Sequence, residues 1–331
     1  MTTVYFATNR KPDQSAIGGF GADIVANQPD AITYAVAQVT GTDLAQEGSG
    51  TIASVDDKSM GGFSDAATKA IIAAGKNLLV FIHGFDNSFE DAIKRAAYNR
   101  EWFAEGGSAA GDTTVIAFTW PSKGELFAAP THTSPDAYRG DQAQAGKSGY
   151  HLAFFLNELD QLRADYRRAN PSAKIFLLAH SMGNYCLQAG VQYWFDNRGS
   201  NDLMFDEVIL PGADEVADSF ERLGGARLSN LPKLAGRISV YYSRKDVAMY
   251  LSTTLNLNAR LGFDGPSDKR DTARYPLDKF RIIDSTEVKD FDPLVPPDAT
   301  HQYYRRSKIV RADIVATLAG RPPVAGGLIS L

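Results

Sequence analysis

Cysteine is nearly absent from this chain: Cys186 is the only one in 331 residues, so no disulfide can close within it. No Cys/His or carboxylate cluster has metal-ligand spacing, and neither a catalytic metal nor another cofactor is expected. Long apolar runs are missing too. None approaches the roughly 18 residues a membrane span needs, and no apolar core follows Met1-Thr2-Thr3, so the expected location is the cytoplasm. Charge is not concentrated in one sign: 34 Lys and Arg stand against 39 Asp and Glu, a net charge of -5 with no long basic run. That balance argues against nucleic acid and anionic membrane surfaces as partners, and neither is expected. The run Gly18-Gly19-Phe20-Gly21 belongs to no phosphate-binding motif of the G-x-G-x-x-G or G-x-x-x-x-G-K-[ST] kind, and reads as a turn. There is no internal repeat. The sequence leaves the oligomeric state open.

What is present centres on Ile175-Phe-Leu-Leu-Ala-His-Ser-Met-Gly-Asn-Tyr-Cys186. Apolar residues typical of a short buried strand give way, within three or four residues, to the helical spacing of Met182, Tyr185, Cys186 and Ala189. Ser181 stands at that change. A serine on so sharp a strand-to-helix turn presents its hydroxyl at the sheet edge, with the N–H of the next residue, Met182, aimed at whatever the hydroxyl attacks. Small residues are required two positions to either side, and Ala179 and Gly183 supply them. The alternative is a serine that only caps its helix. Cys186, inside that helix, is expected to face inward and be inert.

A second stretch, Leu78-Leu-Val-Phe-Ile-His-Gly-Phe-Asp-Asn-Ser-Phe-Glu90, opens on five apolar residues without alternation. Such a run marks a strand buried on both faces, as in a parallel sheet. Asn87 and Glu90 form a capping-box pattern before an apolar helical face, which leaves His83-Gly84-Phe85-Asp86 as the turn. In a serine hydrolase this turn provides the second oxyanion-hole N–H, from Phe85 or Asp86, with Gly84 admitting the substrate closely. His83 and Gly84 are also candidates for the pocket wall.

Further strands are expected at 4–8, 32–39, 114–119, 208–210, 238–242 and 280–283, with helices at 65–74, from Ser148 to before Pro171, after Ser181 and at 309–318. Residues 41–64 read as a surface loop. Excursions at 123–146, which contains His132, and at 251–279 are candidate lid segments. The alternation predicts a doubly wound α/β fold: one domain over 1–331, with a mostly parallel sheet of about eight strands. Ser181, the His83 turn, Trp120, Asp214, Asp246 and His301 all fall at strand carboxyl ends, where such sheets bind ligands.

A serine hydroxyl needs a base, itself oriented by a carboxylate, and in hydrolases of this architecture the chain order is serine, acid, histidine. Of the five histidines only His301 follows Ser181. His180 should point away from the serine side chain and act in packing, and His151 is expected on a helix as surface or core. Asp246, after the 238–242 strand, is the expected acid; Asp214, after the preceding strand, is the runner-up. Trp120 and Tyr303 are candidate pocket residues beside Phe85 and Met182.

The motifs Phe81-Ile-His-Gly-Phe, Phe118-Thr-Trp-Pro-Ser, Ala179-His-Ser-Met-Gly-Asn, Ser243-Arg-Lys-Asp and His301-Gln-Tyr-Tyr, with the opening Tyr5-Phe-Ala-Thr-Asn-Arg, resemble the landmarks of a bacterial α/β-hydrolase family of unknown function. The resemblance covers most of the chain. It implies the α/β-hydrolase fold and an esterase-like hydrolase, and little of the substrate; with the serine, acid and histidine above, the leading expectation is a serine hydrolase that needs no cofactor and acts on a small-molecule ester or acyl substrate. Thioesterase, amidase and acyltransferase chemistry use the same constellation, and a non-catalytic binding module on the same scaffold is the alternative from another class.

Overall fold

The computed structural model describes residues 1–122, 135–197, 202–221, 228–292, 299–322 and 328–331. His132 and the first half of the 123–146 excursion lie outside them.

The strands are β1 (Thr2–Thr8), β2 (Arg10–Pro12), β3 (Phe20–Ile24), β4 (Thr33–Thr40), β5 (Thr51–Met60), β6 (Asn77–Ile82), β7 (Thr113–Thr119), β8 (Ile175–Ala179), β9 (Phe205–Pro211), β10 (Ala235–Tyr242), β11 (Phe280–Asp284) and β12 (Leu328–Ser330). The helices are α1 (Asp65–Ala74), α2 (Phe89–Ala104), α3 (Pro135–Ala169), α4 (Gly183–Asn197), α5 (Leu231–Leu234), α6 (Val247–Asn256), α7 (Leu261–Asp264) and α8 (Lys308–Leu318). Among the described residues ten strands form one sheet in the order β12-β11-β10-β9-β8-β6-β7-β1-β4-β5, and β2 pairs with β3 apart from it. Every pairing from β12 to β1 is parallel, while β4 and β5 add an antiparallel margin.

The unbroken apolar runs of β6 and β8 follow from cover on both faces. Leu78, Val80 and Ile82 face a layer with Leu152, Phe155 and Leu156 of α3 and Leu187 and Val191 of α4. Leu79 and Phe81 face Ile93, Ala96 and Phe103 of α2 and Ile314 of α8. Helices α3 and α4 pack almost backbone to backbone: a Cβ on Gly149 would lie 2.5 Å from that of Ala189, and one on Gly190 would lie 2.6 Å from Leu152 Cδ2.

Three expectations need correction. Among the described residues the sheet has ten strands rather than about eight, because 41–64 is not all loop and the short Leu328–Ser330 strand joins the far edge: β5 is an edge strand, largely exposed and polar, with two register breaks against β4, so it lacks a buried strand's apolar signature, and β12 is only three residues long. Residues 135–146 are not loop but the first turns of α3, whose buried Tyr138, Asp141 and Ala145 keep helical spacing among polar residues and glycines. The α2 cap is Ser88 with Asp91, not Asn87 with Glu90, because the Ser88 side chain accepts from Asp91 N–H while the Asp91 side chain accepts from Ser88 N–H. Among the described residues no helix is long and apolar enough to cross a membrane.

Gly149→Ala gains about 1 kcal/mol in helix propensity but drives a methyl into α4, a clash that costs about 1–3 kcal/mol. The expected result in urea unfolding is a lower midpoint, and a raised midpoint would contradict the close α3–α4 approach.

Candidate active site

Ser181 lies in the left-handed region, with φ 56°, between the end of β8 and the start of α4. For a residue with a Cβ this conformation costs about 1–3 kcal/mol and persists only where neighbours impose it. They do so here. A Cβ at Gly183 would sit 2.5 Å from His83 O and 2.8 Å from Ile82 O, and one at Gly84 would sit 2.7 Å from Ser181 Cβ. The two turns therefore interlock. Asn184 donates from Nδ2 to Ala179 O at 2.8 Å and to Ser181 O at 3.1 Å, and Ser181 O also accepts from Asp214 N–H at 3.1 Å.

The turn after β6 is held from behind. His83 Nε2 accepts from Trp120 N–H at 3.1 Å, which leaves the proton on Nδ1 to donate to Gly84 O at 2.8 Å. Trp120 Nε1–H donates to His83 O at 2.9 Å, and the two rings stack at 5.0 Å. Burial, reinforced by the Arg10 charge, pushes the His83 pKa well down, so the ring is neutral. Asn87 donates to Gly84 O and Phe85 O at 3.1 and 2.7 Å, and Arg10 donates to Asn87 O at 2.7 Å. Arg10 is itself buried, and desolvation lowers its pKa to about 9. Asp86 has φ 56°. Among the described residues neither the Phe85 nor the Met182 N–H has a backbone acceptor.

His301 ends a short 3-10 turn, Ala299–His301, and its Nδ1 lies 2.7 Å from Asp246 Oδ2. Asp246 is fully buried, and its other oxygen caps α6 by accepting from Met249 N–H at 3.0 Å. Desolvation raises the Asp246 pKa, while the imidazole works in the opposite direction. One carboxylate thus anchors a helix and orients a ring. Gly212, with φ 52°, makes room for both: a Cβ there would fall 3.0 Å from His301 Cε1 and 3.3 Å from Asp246 Oδ2. His180 packs its ring 4.5 Å from that of His301 and 4.7 Å from that of Tyr304, and donates from Nε2 to His301 O at 3.3 Å. Burial and the neighbouring His301 hold its pKa well below the ordinary range.

Trp120 and Tyr303, expected as pocket lining, stand behind the site with their polar atoms committed to backbone. Both are essentially unexposed, and the Tyr303 hydroxyl accepts from Gly212 N–H and donates to Tyr241 O, each at 2.9 Å. Asp214 does not reach an imidazole; it accepts from Tyr138 and Ser252 and pairs with Arg260. His151 is a buried mid-helix residue that accepts from Asn9 and donates to Ala26 O. Cys186 is buried, and its thiol is pushed far above its usual pKa. Sequence reading missed Gly212 and took Asn87 for a helix cap rather than a brace of the turn, although a glycine directly after β9 and an asparagine inside a turn are both signals for a special backbone. A cavity of about 730 Å³ lies at the opposite, amino ends of β6 and β8 to β10, beside Asn77, Lys174 and Arg237. Among the described residues no group of His, Cys, Asp and Glu side chains could hold a metal ion.

A family model described as "Alpha/beta hydrolase of unknown function (DUF900)" matches residues 64–318, a span holding β6 to β11 and Ser181, Asp246 and His301. No curated protein matches the chain. Among solved structures, the product of the gene lin2722 from Listeria innocua aligns over 77% of this chain and 98% of that one, at 10% identity and a TM-score of 0.33, a likeness that carries no argument. With three quarters of its length matched by the family model and a large, mostly parallel sheet covered by helices, the chain belongs to the α/β-hydrolase family of unknown function, DUF900.

Proposed function

We propose that this chain is a cytoplasmic, single-domain serine hydrolase that cleaves a small carboxylic ester through an acyl-enzyme. Ser181 would be the nucleophile, His301 the base and Asp246 the orienting acid. The observation that carries this reading is the contact of His301 Nδ1 with Asp246 at 2.7 Å, packed against Gly212, whose neighbour Pro211 accepts through its carbonyl from the N–H of the strained Ser181 at 3.4 Å.

With Nδ1–H given to Asp246, the lone pair of His301 sits on Nε2. It takes the Ser181 proton as Oγ bonds to the ester carbonyl carbon. The carbonyl electrons move onto oxygen, where the Met182 and Phe85 N–H groups, with Asp86 at the edge of the turn, would stabilise them by about 3 kcal/mol per donor. Collapse expels the alcohol, which leaves with the proton from Nε2. Water then attacks the acyl-enzyme by the same route, the acid departs and Ser181 regains its proton. Thioesters would react on the same groups.

Ser181→Ala should lower kcat for a short p-nitrophenyl ester by on the order of 10⁴-fold or more with an unchanged circular dichroism spectrum. Turnover within tenfold of the parent would refute the nucleophile. Gly212→Ala should cost about 100-fold in kcat, since displacements of this kind near reacting groups are expensive. Unaltered kinetics there would count against a productive His301 at this position. In NMR titrations the His83 and His180 rings should keep neutral-form shifts from pH 8 to pH 5, because burial disfavours their charged forms. Protonation of either within that range would contradict their buried, neutral role.

A further inference from the structure

Asp214 has the burial and location of a catalytic acid, but its partners give it other work. Its Oδ2 accepts from the Tyr138 hydroxyl at 2.7 Å, and its Oδ1 accepts from Ser252 at 2.5 Å and faces Arg260 Nε at 3.5 Å. Asn256 closes the ring by donating to the Tyr138 hydroxyl at 2.9 Å. One carboxylate therefore gathers the first turn of α3, the middle of α6 and the segment before α7. Its own backbone N–H reaches Ser181 O at 3.1 Å. Tyr138 in turn places its ring 6.2 Å from that of Phe85, and Phe85 follows the glycine that touches Ser181.

Building on the esterase reading, we infer that Asp214 is a positioning residue that latches α3 and α6 to the rim of the elbow, and that the Tyr138 ring it holds is the wall that limits acyl-chain length. The chain of contacts Asp214, Tyr138, Phe85, Gly84, Ser181 leads from the latch to the nucleophile without passing through His301. Breaking the latch should thus alter substrate binding rather than proton transfer. Removing the ring should open space beside the oxyanion turn for a longer chain.

The test compares Tyr138→Phe, Tyr138→Ala and Asp214→Asn with the parent on p-nitrophenyl acetate, hexanoate and decanoate, alongside amide hydrogen exchange of residues 135–146. Tyr138→Phe leaves the Asp214–Arg260 pair intact and so guards against a variant that merely fails to fold. Tyr138→Phe and Asp214→Asn should raise KM about fivefold or more, hold kcat within tenfold, keep the parent's pH profile and speed exchange at 135–146 about tenfold. Tyr138→Ala should move the decanoate-to-acetate ratio of kcat/KM upward by at least tenfold. Loss of kcat in Asp214→Asn with an altered pH profile would make it the acid and overturn the inference. Unchanged exchange in both latch variants would overturn it as well, whether or not the parent hydrolyses esters. A parent inert to all three esters with exchange accelerated as stated would instead sink the esterase reading, and the acyl-wall role with it.

Discussion

The interlock of two turns, one after β6 and one after β8, is the constraint from which the rest of the site follows. Ser181 is kept in a backbone conformation that a serine does not choose for itself, and Gly84 and Gly183 are the vacancies that allow it. The strain of about 1–3 kcal/mol is met by hydrogen bonds to Ser181 O from Asn184 and Asp214, and by the tight α3–α4 packing that fixes where α4 can begin. Parallel strands matter because they bring both turns to the same sheet edge, and the loops after β9 and β10 then arrive beside them.

Burial sorts the polar groups around that edge into different tasks. His83 and His180 are both desolvated and neutral, one stacked on Trp120 beneath the turn after β6 and the other beneath His301 on Tyr304. Asp246 and Asp214 are both buried carboxylates, but one faces an imidazole and the other a guanidinium and two hydroxyls. A carboxylate bound to a permanent cation has no ring to orient, so its partners, more than its place after a strand, decide its work.

Much of this was legible in the residues themselves. The apolar runs of β6 and β8 reveal a doubly covered sheet because no water-facing side interrupts them, and chain order alone leaves His301 as the histidine downstream of Ser181. Edge strand β5 and the first turns of α3 were not legible, since their stability comes from pairing and docking of polar segments whose composition resembles loop. The cap moved by one residue because Asn87, Ser88, Glu90 and Asp91 offer two overlapping boxes, and only the demand for Asn87 at the Gly84 and Phe85 carbonyls chooses between them. Trp120 and Tyr303 look like pocket aromatics in a linear sequence; their nitrogen and oxygen reveal a backbone-bracing role only once the neighbouring loops are in place.

Reactivity at one hydroxyl tests this account most directly. Intact-protein mass spectrometry after exposure to a fluorophosphonate, followed by peptide mapping, should find a single adduct on Ser181 in the native chain and none after unfolding in urea. Recovery of unmodified Ser181 from folded protein, at probe concentrations that saturate a reference serine hydrolase, would contradict an activated serine at the elbow.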